Sequence, residues 1–104
     1  MSDARRSIKL ILLAYQQGSV SAVETSMRIS FLLKTLDFDD KIRRKFDIFD
    51  EVSVKSAYIP ILEQWDNLEK KTKFQYEREI KKIDNDYRLK LQDASADILA
   101  TIEL

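Results

Sequence analysis

The chain has 104 residues, which suits one domain with a single modest core. It holds no cysteine and no histidine, which excludes disulfides, thiolate metal sites and the commonest general base; one glycine and one proline argue against the many tight turns of a β-sandwich or barrel. Eighteen basic and eighteen acidic side chains give zero net charge, spread as +3 over residues 1–36, −2 over 37–53, +2 over 54–92 and −3 over 93–104, so no segment has the basic excess that gathers phosphates.

Long helices with short connections are the economical reading. The first helix is expected over Asp3 to Gln17, capped by Ser2 or Asp3. Ile8, Ile11, Leu12 and Tyr15 repeat at the i, i+3, i+4, i+7 spacing of one buried face. Leu10 and Leu13 widen the apolar surface and predict cover on more than one side. Lys9 interrupts the apolar run from Ile8 to Ala14, and no small-residue cleavage pattern follows it. It reads as a core helix rather than a secretory signal. No stretch approaches the ~20 apolar residues that span a bilayer. A cytoplasmic location without membrane attachment is the expectation.

Gly18 stands where a left-handed helix terminus is wanted. Ser21-Ala22-Val23-Glu24 matches a capping box and starts a second helix that should reach about Leu36. Val23, Met27 and Phe31 lie along one side of it; Ile29, Leu33 and Leu36 lie along another. A helix-turn-helix DNA reader has a similar hairpin, but this second helix offers bases only Arg28 and Lys34. It reads as part of the core.

A third helix is expected from Asp39 to Glu51. Ile42, Phe46 and Phe49 would face inward, with Asp40, Asp47 and Glu51 along one outer line. Beyond it, Pro60 either starts a helix or kinks one begun at Ser53. From Pro60 no strong breaker is evident. Trp65, Glu69, Thr72, Tyr76, Ile80, Ile83, Tyr87, Leu91, Ala94, Ile98 and Ile102 recur at steps of three and four. An unbroken helix there would be roughly 65 Å long, too long for the other helices to cover. Either the chain breaks, at Asp84-Asn85-Asp86 or at Gln92-Asp93-Ala94-Ser95, or a second copy covers the remainder; the favoured reading is a break near 92–95, with Asp93 or Ser95 capping a short last helix. Five acid–base pairs at i, i+4 support the helix: Asp66/Lys70, Glu69/Lys73, Glu77/Lys81, Asp84/Arg88 and Asp86/Lys90. The fold expected is an all-α bundle of four to five helices in one domain, with a long charged C-terminal helix.

Function then rests on surface rather than on a reaction centre. The carboxylates Glu63, Asp66, Glu69, Asp84 and Asp86 each have basic neighbours and read as helix surface, so neither a metal nor a cofactor is expected. The basic clusters Arg43-Arg44-Lys45 and Lys70-Lys71-Lys73 lie among acids, which argues against nucleic acid. Asp39, Asp40, Asp47, Asp50 and Glu51 form the surface best suited to a basic protein partner.

The stretch from Ile11 through Gly18 and Ser21-Ala22-Val23-Glu24 to Arg28-Ile29 resembles the opening hairpin of the bacterial self-protective colicin-like immunity family. The resemblance implies a small helical bundle that binds a cognate toxin nuclease and blocks its active site with acidic side chains. It predicts a tight one-to-one complex, weakened when those acids are reversed to Lys. The alternative is an adaptor or structural protein that homodimerises through residues 60–103.

Overall fold

The computed structural model describes residues 3–61 and 63–104, and Ser2, one of the two expected first caps, lies outside them. The described residues form six helices and no strand: α1 (Asp3–Gln16), α2 (Ala22–Leu33), α3 (Asp40–Arg44), α4 (Asp47–Lys55), α5 (Glu63–Asp66) and α6 (Lys70–Thr101). The fold is all-α, with α1, α2, α4 and the second half of α6 closing around one core.

The α1–α2 hairpin forms for the reasons its residues suggest. Gly18 takes φ +78°, its N–H donates to the Tyr15 carbonyl and the Ser19 N–H donates to that of Ala14. This is the paired closure of a Schellman motif. Nothing lies within 4 Å of where a Cβ on Gly18 would stand. The Gly18→Ala variant therefore loses only conformational ease, and about 1–2 kcal/mol of stability should go with it. Urea unfolding should show a lower midpoint at an unchanged slope. At the start of α2, the Glu24 N–H donates to the Ser21 hydroxyl at 3.1 Å. The Glu24 carboxylate does not complete the capping box; it sits 3.7 Å from Arg28. The last turn of α2 tightens into i→i+3 bonds through Leu36.

Three expectations about helix bounds need correction. The single helix expected over Asp39–Glu51 is two, α3 and α4, joined at Lys45-Phe46. Phe46 adopts φ −95° and ψ 0° there. This bend drives its ring fully into the core, where it stacks on Phe38 at 5.6 Å and packs against Phe49 at 6.3 Å. Second, the chain from Pro60 is not one helix. The Asn67 side chain donates to the Glu63 carbonyl, the Leu68 N–H donates to that of Trp65, and α6 starts only at Lys70 after an extended Glu69. Third, α6 does not break at 92–95. Ser95 is buried between Leu91 and Ile98 on the inward stripe, and the core holds the helix through it.

The stripe itself is inward-facing from Thr72 to Ile102. Burial is graded along it: Thr72, Tyr76, Ile80 and Ile83 are half-buried, whereas Tyr87, Leu91, Ile98 and Ile102 are buried. α6 thus outreaches the core it covers, which explains a radius of gyration of 13.9 Å against about 13 Å for a compact chain of this length. None of the five expected i, i+4 pairs closes to 4 Å among the described residues. The turn at 67–69 separates Asp66 from Lys70, and in the other pairs exposed long side chains gain little by pairing.

Candidate functional site

The five acids singled out above divide into two groups. Asp39 caps α3 by accepting the Ile42 N–H at 2.9 Å. Asp50 accepts from the Ser30 hydroxyl at 2.9 Å and from the Arg43 guanidinium at 2.7 Å, which ties α4 to α2 and to the turn before it. Asp40, Asp47 and Glu51 are exposed. Asp47 and Glu51 share a face of α4, while Asp40 lies across the Phe46 bend on another helix, so the three do not line one continuous helix face. Exposed Lys41 and Arg44 stand among them in sequence, and exposed Lys55 follows four residues after Glu51.

Asp84 has a different role from the surface one expected. Its carboxylate accepts the Ala22 N–H and thereby caps α2 from a position 62 residues away. It lines a polar cavity of about 150 Å³ with Tyr15, Gly18, Val20, Arg88 and Gln92. Burial pushes its carboxyl above the usual Asp value of 3.8, against the opposing pull of the Ala22 N–H and of Arg88. The folded state therefore holds this proton more tightly than the unfolded one. The resulting stabilisation is fully present below pH 3.8 and is lost as pH rises through the folded value. In Asp84→Asn the amide oxygen still accepts the Ala22 N–H and no charge forms. The stability of Asp84→Asn relative to the wild type should rise across that window, as followed by urea unfolding at several pH values. A pH-independent difference would contradict the assignment.

The more distinctive surface is apolar, and the helical pattern placed its apolar residues on α1 and α2 in the core. Leu10 is 60% exposed and Phe31 67%, although the pattern predicted cover for both. Between α1 and α2 runs a groove of about 460 Å³ lined by Ser7, Ile11, Met27, Arg28, Phe31 and Leu32, with Ile61 beside it. Ser7 and Ile11 on α1, and Met27 and Phe31 on α2, are i, i+4 pairs. They form two rows of the kind that receive the ridge of a third helix. The periodicity of α2 could show which face was apolar, but not whether this chain covers it.

Among the described residues, no group of three or more acidic side chains is placed to hold a metal ion, and no helix is long and apolar enough to cross a membrane. No curated protein and no solved structure matches the chain. A family model described as "Protein of unknown function (DUF2489)" matches residues 2–98. This overturns the resemblance to colicin-like immunity proteins, because the hairpin at 11–29 that carried it falls within a match to another family. Gly18, Ser21 and Glu24 serve turn and capping chemistry that unrelated αα-hairpins share. With all but a few residues matched, the chain belongs to the DUF2489 family.

Proposed function

We propose that this chain is a binding protein whose recognition surface is the α1–α2 groove, and that the groove receives an amphipathic helix of another protein. The observation that carries this reading is the exposure of Phe31 beside the apolar trough formed by Ile11, Met27 and Leu32. Exposed apolar surface of this kind, rimmed by polar groups, marks interaction sites. A small ligand would be enclosed over most of its surface, whereas a trough this open suits the ridge of a helix. Arg28 on the rim, paired only loosely with Glu24 at 3.7 Å, has five N–H donors and suits a further carboxylate on the partner helix next to its apolar anchors.

The test places a photo-reactive p-benzoylphenylalanine at position 31 and, in a second chain, at position 47. Both are irradiated in the cells from which the sequence comes. A discrete adduct with another protein from position 31, absent from position 47, is expected. An adduct from position 47 alone would move recognition to the acidic face. An adduct of twice the chain mass would replace this reading with self-association, and the absence of any protein adduct from position 31 would remove the groove from consideration.

A further inference from the structure

α6 turns its apolar stripe inward, and its opposite face has an order of its own. At about 100° per residue, Lys71, Phe74, Arg78, Lys82, Asn85 and Leu89 fall within about 40° of one line. All six are exposed. Lys81 lies about 60° from that line and is exposed too. Between residues 70 and 92 no carboxylate falls inside this sector; Glu77, Glu79 and Asp86 lie roughly 80–100° away, on the two flanks. The zero net charge of the chain thus conceals a strip of four cations with an apolar residue near each end. None of the four makes an ion pair within 4 Å among the described residues.

We infer that this strip is a second docking site, for an acidic amphipathic helix of a protein partner. Charge complementarity selects that occupant. A helix laid along α6 touches only a narrow band, so glutamates repeating at three- and four-residue steps meet the cations without approaching the flanking acids. Apolar residues near its ends would cover Phe74 and Leu89. Lys71 to Leu89 spans about 27 Å, which about 18 residues of partner helix would match. A nucleic acid fits less well, because its phosphates would meet acids on both flanks and Leu89 offers no face for a base to stack on. The same strip on a second copy would oppose like charges. The inference is independent of the groove reading, and if both hold the chain joins two proteins.

The test is calorimetric titration of the full chain with a synthetic helical peptide of about 20 residues. The peptide carries glutamates at three- and four-residue steps on one face, with leucines at the ends of that face. A scrambled peptide of equal composition and a single-stranded DNA of about 20 nucleotides are the comparisons. The patterned peptide should bind at least about tenfold more tightly than either. It should weaken by about tenfold in a chain carrying both Arg78→Glu and Lys82→Glu, whose thermal unfolding should be unchanged because both sites are exposed. Equal affinity for the two peptides, indifference to the double reversal, or preference for the DNA would each overturn the assignment.

Discussion

Replacing Phe46 with Ala should cost about 3–5 kcal/mol, the largest loss expected of any exchange considered for this chain. The ring is fully buried and packs against two other aromatic rings. Its position at the bend between α3 and α4 means that no neighbouring backbone can collapse into the space without straightening that bend. A domain of this size has about 5–15 kcal/mol in all, so the variant should melt on the order of 15–30 °C lower. Phe74→Ala is the control. That ring is 61% exposed, and its loss should change stability by less than about 0.5 kcal/mol. Thermal unfolding followed by circular dichroism measures both. Similar losses for the two variants would contradict the core described above.

The second large effect concerns binding. Phe31→Asp removes the exposed aromatic anchor of the groove and puts a charge in its place. Folding should be indifferent, since the side chain already stands largely in water. Affinity for the partner should not be: truncating a central aromatic anchor costs about 2–4 kcal/mol, which is about 30- to 700-fold. The same charge at Leu10 should cost less, because Leu10 does not line the groove. The contrast with Phe46 separates two aromatic residues that look alike in the sequence, one holding the fold together and one left over by it.

What the sequence reveals about this fold follows from the range of the interactions involved. Local backbone signals read true, although the capping box stayed half-made and the i, i+4 pairs open. Gly18 ends α1, Ser21 caps α2, and the three- and four-residue steps from Thr72 to Ile102 trace the inward face of α6. Signals that depend on distant partners did not. Asp93 and Ser95 have the chemistry of helix caps, yet Leu91 and Ile98 pack into the core on either side and carry the helix through them. Packing overrode propensity. The bend at Phe46 has no glycine or proline to announce it; the ring finds its place only in the assembled core, against Phe38 and Phe49. The link from Asp84 to Ala22 spans 62 residues and lies beyond any local pattern. The acidic face was half legible. Asp39, Asp40, Asp47 and Glu51 are exposed, whereas half-buried Asp50 is tied to Ser30 and Arg43 by bonds that no local pattern reveals. The groove was missed because an apolar helix face looks the same whether its own chain or another protein covers it.

The most direct test of the central claim is the affinity of the purified protein captured from position 31 for three forms of this chain, measured by calorimetry. Phe31→Asp should bind at least about 30-fold more weakly than the wild type, while Asp47→Lys should stay within about threefold. Full affinity in Phe31→Asp together with lost affinity in Asp47→Lys would contradict the account and give recognition to the acidic face of α4.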